Sequence, residues 1–324
     1  METTFGLTSR FFPLLLLTAP IFGQGFSLEG PIGGFVFDAP SRSIRPLVGL
    51  LGAARLGSPV LTGVAFASVA PDQRKAITLS EAGLQLIADL RNPAASAQSL
   101  PGAIPSASQA LWADGSSAAV LFSASEKQLQ FVWQDGGAIF LGTPCDLSSL
   151  PAPVRLLAAL PAARIAAVVT SAEEKSAVYL VREGAPPVLA GLFAAPVAAA
   201  FAPTGGALYL AAASSLYRIS SFQVHPEMEV LIENAAALDN AIAIAVTNNG
   251  PILFIASAAS RRIRAYDLNL QRFLDDLELD SLPSRFESFG ATSFVLNPLR
   301  AARDPVLILE TVPAPRVIFI PSGE

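Results

Sequence analysis

Cysteine and histidine are almost missing: Cys145 is the one thiol and His225 the one imidazole in 324 residues. A lone thiol cannot close an internal disulfide, so the fold must rest on burial, which a chain of this length can supply. With no second histidine and no cysteine partner, the usual transition-metal ligand sets are excluded. A Ser-His-Asp arrangement would have to run through His225, in Val224-His225-Pro226-Glu227, and no Gly-x-Ser-x-Gly occurs. Gly136-Gly137 and Gly205-Gly206 lack phosphate-loop spacing and read as turn glycines. No cofactor is expected. Lysine is confined to Lys75, Lys127 and Lys175, and charged residues make up 15% of the chain, against roughly 25% in an ordinary soluble domain. The net charge is −5 and no basic run occurs. Nucleic acid is therefore not an expected partner, because phosphate binding needs a concentrated cationic footprint. Past residue 23 no apolar stretch reaches the about 20 residues of a membrane-crossing helix.

What the chain has in plenty is apolar sequence, 52% of its residues, cut into runs of 4 to 8 by Gly, Pro, Ser or charge. Short apolar runs of this kind suit strands buried on both faces. The N-terminus is different. Arg10 precedes an apolar core from Phe11 to Phe22, and the small residues Gly23 and Gly25 follow. That core is too short to span a bilayer and has the layout of an export signal. Residues 1–23 are expected to be a signal peptide and residues 24–324 the exported, periplasmic or extracellular domain. No cysteine follows the apolar core to carry a lipid anchor.

A unit recurs along that domain: an apolar strand, a short polar turn and a second strand. It reads Phe35-Val36-Phe37 with Ile44 to Val48, then Ala76-Ile77-Thr78-Leu79 with Leu84 to Ile87, and Ala119-Val120-Leu121-Phe122 with Leu129 to Trp133. It continues with Ala166-Ala167-Val168-Val169 and Ala177 to Val181, Ala207-Leu208-Tyr209-Leu210 and Leu216 to Ile219, Ile252-Leu253-Phe254-Ile255 and Ile263 to Asp267, and Val306-Leu307-Ile308-Leu309 and Val317 to Ile320. The first strands begin at 35, 76, 119, 166, 207, 252 and 306, so the spacing is 41 to 54 residues. A four-stranded propeller blade takes about 40 to 50. Short apolar strands ending in turns precede several hairpins, as in Ala199-Ala200-Phe201-Ala202-Pro203-Thr204-Gly205-Gly206. They fit innermost strands followed by a tight reversal. The expectation is an all-β chain forming a single seven-bladed β-propeller, with its N- and C-terminal segments meeting where the ring closes. Phe26-Ser27-Leu28-Glu29-Gly30 could supply the innermost strand of blade one or the outermost strand of blade seven.

Residues 197–219, with Phe201-Ala202-Pro203-Thr204-Gly205-Gly206 leading into Leu208-Tyr209-Leu210 and Leu216-Tyr217-Arg218-Ile219, resemble a blade of the bacterial YVTN and WD40-like propeller proteins. The likeness is one of pattern over the whole repeat region. The Trp-Asp dipeptide of WD40 repeats is absent from the blade ends, since Trp112 is followed by Ala113 and Trp133 by Gln134. The resemblance therefore implies a fold and no particular activity.

Charge falls mainly in turns. Asp38, Glu81, Glu126 and Glu173, with Arg42 and Arg261, occupy the turns between the second and third strands of their blades. Such turns share one face of a propeller, so these six residues, together with Asp239 and Asn240, mark a possible binding face. The enzymatic alternative is a lactonase- or lyase-like propeller with a site in the channel. Taking Phe66, Trp112, Leu160, Phe201, Val246 and Val295 as equivalent channel-strand positions, the residues four earlier are Thr62, Ser108, Leu156, Val197, Ile242 and Ala291, an uncharged ring. A shift of one or two residues brings Asp239 and Asn240 to the channel mouth in one blade only, short of the six or so oxygens a hard cation takes. The expectation is a monomeric, non-catalytic scaffold for a protein or glycan partner.

Overall fold

The computed structural model describes residues 30–322, apart from 152, 173–174, 195–196, 223–224, 239–240, 248–249, 258, 298, 300 and 302–303. Seven antiparallel sheets follow one another along the compact unit Pro31–Glu324. Blade 1 holds β1 (Ile32–Asp38), β2 (Ser43–Val48) and a broken third row, β3 (Arg55–Leu56) and β4 (Leu61–Thr62). Blade 2 runs β5 (Phe66–Val69), β6 (Ala76–Ser80), β7 (Gly83–Ile87) and β8 (Ala97–Ser99). Blade 3 has β9 (Gln109–Trp112), β10 (Ala118–Ser123), β11 (Gln128–Asp135) and a split outer row, β12 (Ala138–Leu141) and β13 (Cys145–Asp146). Blade 4 is β14 (Val154–Leu160), β15 (Ile165–Ala172), β16 (Lys175–Arg182) and β17 (Val188–Ala194). Blade 5 is β18 (Val197–Phe201), β19 (Leu208–Ala212), β20 (Ser215–Ser220) and β21 (Glu227–Ile232). Blade 6 is β22 (Ala241–Val246), β23 (Ile252–Ser257), β24 (Arg262–Asp267) and β25 (Arg272–Glu278). Blade 7 is β26 (Glu287–Ser288), β27 (Ser293–Val295), β28 (Val306–Glu310) and β29 (Arg316–Ile320). All seven hairpins expected from the repeat are present, as β1/β2, β6/β7, β10/β11, β15/β16, β19/β20, β23/β24 and β28/β29.

The sheets meet face to face, so the strands are apolar on both sides. In β18, Val197, Ala199 and Phe201 join a cluster with Ile165, Ala167 and Val169 of blade 4, while Ala198 packs with Ile244 and Leu253 of blade 6. Alternate residues therefore serve opposite neighbours. The first strand β18 touches the first strands β14 and β22 on either side, and where blades converge only small side chains fit between them, hence the runs of alanine.

The reversals out of the first strands share one design. Gln73, Ser116 and Gly205 close turns begun by Ala70, Ala113 and Ala202, each donating its N–H to that alanine's carbonyl at 2.8 to 2.9 Å. All three adopt the left-handed conformation, with φ between 55° and 75°. This pairing places Val69 opposite Ala76 as Phe201 stands opposite Leu208. The equivalent of Phe201 in blade 2 is thus Val69, and the alignment on Phe66 is corrected by three residues. Thr62 belongs to the outer row of blade 1, and Leu156 and Val197 are buried between blades, so the six residues aligned from the repeat do not form one ring in the channel.

The ring closes through packing of the terminal hairpins. Val36 and Leu47 of blade 1 cluster with Phe289, Val306, Ile308, Ile318 and Ile320 of blade 7. The inner edge of β1 is occupied from both sides. The Phe35 N–H donates to Gln73 Oε1 at 2.7 Å, and Asp38 forms a parallel bridge to Leu299. Gly34 lies so close to the Phe289 ring that a Cβ there would stand 2.3 Å from it. Gly290 in turn donates its N–H to Pro71 O at 2.8 Å. Residues 26–29 lie outside the described residues.

Candidate functional site

The turns between second and third strands carry five of the residues expected on a binding face within the described part. Arg42, Glu81, Glu126 and Arg261 are exposed. Glu126 accepts a hydrogen bond from Ser106 Oγ at 2.5 Å. Asp38 departs from the expectation: it is 4% exposed, ends β1, and pairs with Arg45 at 3.3 Å. Its carboxylate is drawn inward by that guanidinium and holds the first hairpin rather than facing solvent. No hydrogen bond or ion pair joins any two of these five residues, which stand on separate blades or, for Asp38 and Arg42, at either end of one turn. Glu173, Asp239 and Asn240 lie outside the described residues.

A cluster of aromatic and charged side chains lies at the opposite ends of the strands, between blades 3 and 4. Trp133 near the end of β11 stacks on Phe140 of β12, with ring centroids 5.8 Å apart and planes at 14°. Arg164, in the turn from β14 to β15, lies over the Trp133 ring at 3.9 Å. Arg164 has a left-handed φ of 53° and closes the turn by donating its N–H to Pro161 O at 3.0 Å. Glu183, just after β16, receives Arg164 Nη1 at 2.7 Å on one oxygen and the Thr143 N–H at 3.1 Å on the other. Gly142 leaves room for that carboxylate, since a Cβ there would meet Glu183 Oε1 at 2.2 Å. An open depression of about 360 Å³, lined by Ala163, Arg164, Ile165, Arg182 and Glu183, lies beside this latch.

Cys145 sits under the same cluster, donating to Arg182 O at 3.6 Å. Burial, and then the nearby Glu183 carboxylate, push its thiol pKa up. The thiol therefore stays protonated at neutral pH and is a poor nucleophile. Among the described residues no group of three His, Cys, Asp or Glu side chains converges as a metal site would require.

A related latch joins blades 2 and 3. Lys75 Nζ reaches Ser116 O at 3.2 Å and Gln134 Oε1 at 2.8 Å, and the Asp72 N–H donates to Ser116 Oγ at 2.8 Å. Neither latch was anticipated. Their residues come from different blades, and nothing in the local sequence links Trp133 with Arg164. The weak signal available was the charge of Arg164 and Glu183 in otherwise apolar surroundings.

Fold and sites together define a seven-bladed β-propeller in which a few polar contacts, such as Lys75 with Gln134 and Thr143 with Glu183, cross from one blade to the next. No family model matches the chain, and no curated protein does. Solved structures are similar at the level of fold. A protein from Lactobacillus plantarum aligns with a TM-score of 0.59 and 12% identity over 90% of this chain and 96% of that one. The Cps50 (Swd1) β-propeller domain of Myceliophteria thermophila aligns at 0.50 and 8%, over 91% and 97%. A chain from the Kuenenia stuttgartiensis hydrazine synthase structure aligns at 0.51 and 10%, over 93% and 99%.

Proposed function

We propose that this chain is an exported, YVTN-like propeller that acts as a non-catalytic scaffold for another protein. The observation that carries the reading is the outer rim of blades 4 and 5. Val188, Leu189 and Leu192 on β17, and Met228 and Val230 on β21, are each about half or more exposed, Leu192 reaching 63%. In a chain with 52% apolar residues, most of the large ones are buried between blades. Val188, Met228 and Val230 pair with Leu180, Ile219 and Tyr217 and so line the facing sides of blades 4 and 5, while Leu189 and Leu192 lie on the other face of blade 4; the rim between the two blades is an apolar surface suited to desolvation by a partner. The test is photocrosslinking from Val188 and Met228 in the exported protein. A defined partner should crosslink at both positions and be lost on Val188→Lys with Met228→Lys, while the melting temperature is unchanged. Crosslinking that survives both substitutions would sink the reading.

A glycan is the second reading, favoured by the exposed Phe140 ring stacked on Trp133. Aromatic platforms of this kind can stack apolar sugar faces. Calorimetric titration of oligosaccharides with wild type and Phe140→Ala separates it from the protein partner.

A further inference from the structure

The outer edge of blade 7 is built differently from the others. Elsewhere the outer rows are short, broken or bulged: β3 and β4 are separate pieces, β8 has three residues, and β12 and β13 are split. β17, β21 and β25 are the longer ones, and each carries a register shift against its neighbour. Short, interrupted and bulged edges resist pairing with other chains. β29 has none of these features. It pairs with β28 in unbroken register from Val306 and Ile320 to Glu310 and Arg316. Among the described residues no strand lies outside it.

The ladder dictates which backbone groups face outward. Leu296 N–H donates to Leu307 O, and Thr311 N–H donates to Thr292 O, both at 2.9 Å. The odd-numbered residues of β28 therefore bond toward β27, and Val306, Ile308 and Glu310 bond to Ile320, Ile318 and Arg316. Because the N–H and C=O of one residue point the same way in an antiparallel strand and alternate along it, those of Val317 and Phe319 point to the open edge. Phe319 is 61% exposed. Arg316 is held by Glu310 within the same hairpin at 2.6 Å, so among the described residues of β29 no unpaired charge guards the edge.

We propose that blade 7 docks a second copy of this chain, β29 against β29. Antiparallel pairing centred on Ile318 sets Val317 opposite Phe319 of the second copy and Phe319 opposite its Val317. The outward N–H and C=O groups of both copies then close four N–H···O bonds, and the facing side chains form two apolar cross-strand pairs. The contact is two-fold and closes on itself. Each copy supplies a fourth row beyond β29. A five-residue edge is small beside the roughly 1,600 Å² of a standard interface, so the dimer is weak and concentration-dependent. This surface is separate from the rim of blades 4 and 5, and the two readings fail independently.

The experiment is sedimentation of the exported protein from roughly 1 to 300 µM, the range in which weak dimers dissociate, with amide hydrogen exchange at both ends of the range. The expected result is a monomer that becomes a dimer, with the Val317 and Phe319 amides slowing several-fold at high concentration and the Ile318 amide unchanged. Phe319→Lys should abolish both effects. Val317→Pro should do the same, because it removes an outward N–H and leaves the β28 ladder whole; melting curves report whether either variant folds. A wild-type chain that stays monomeric, or a dimer that persists in folded Phe319→Lys or protects other amides instead, overturns the proposal.

Discussion

Leu208 and Phe254 are 0% and 1% exposed, and each belongs to a second strand that packs between blades. Burying such a side chain is worth about 1.5–3 kcal/mol by area, and removing it adds the cost of the cavity. Leu208→Ala and Phe254→Ala should each lower unfolding free energy by about 2–5 kcal/mol in denaturant titrations; losses under about 0.5 kcal/mol would contradict their central position. Cys145 gives a second residue-level expectation. Its buried thiol should react slowly with iodoacetamide at neutral pH and quickly once the chain is unfolded. The sign of its pH effect follows from the raised pKa. The protonated form is favoured by folding, so this stabilisation is present below the ordinary thiol value of 9.0 and is lost as the pH rises through the folded value. Tyr209 and Tyr266, raised chiefly by burial, act in the same direction above 10.0. Denaturant midpoints should therefore fall on the alkaline side, and a flat profile from pH 8 to 11 would contradict this burial.

At the scale of elements, the central hairpins were legible because both of their faces are covered and their sequences are apolar throughout, as in Ala166-Ala167-Val168-Val169 and Ile252-Leu253-Phe254-Ile255. The outer strands were not. β25 reads Arg-Phe-Leu-Asp-Asp-Leu-Glu and β21 Glu-Met-Glu-Val-Leu-Ile, compositions that fit a loop as well as a strand. A strand with one edge free and its side chains half in water is under little pressure to be apolar. The same reasoning explains why the latch of Trp133, Arg164 and Glu183 was invisible: it forms only when the blade order is known. The segment with its own prediction is the N-terminal one. Arg10 and the apolar core from Phe11 to Phe22 lead to the expectation that mass spectrometry of the protein from its host finds a mature N-terminus between Gln24 and Phe26. An intact Met1 on a cytosolic chain would remove export from the proposed function.

For the whole molecule, the decisive contact is the one between first and last blades, since no disulfide can hold the ring shut. Phe289, 4% exposed, fills the space that the missing side chain of Gly34 leaves free. Phe289→Ala should cost about 3–5 kcal/mol. Gly34→Ala should cost about 1–3 kcal/mol, because its new Cβ meets the Phe289 ring at 2.3 Å and the end of Gln73 at 2.8 Å. The two effects share one cause and should not add. On the Phe289→Ala background the ring is gone, so Gly34→Ala should be nearly silent, with a coupling of about 1–3 kcal/mol in the double-mutant cycle. Either single variant should also bind a hydrophobic dye before global unfolding, because a loosened junction uncovers the faces that carry Val36, Leu47, Ile308 and Ile318, and a chain with 15% charge has little to keep such faces apart. Additive costs in the cycle would mean that Phe289 and Gly34 do not touch, and the ring would then have to be closed by other residues.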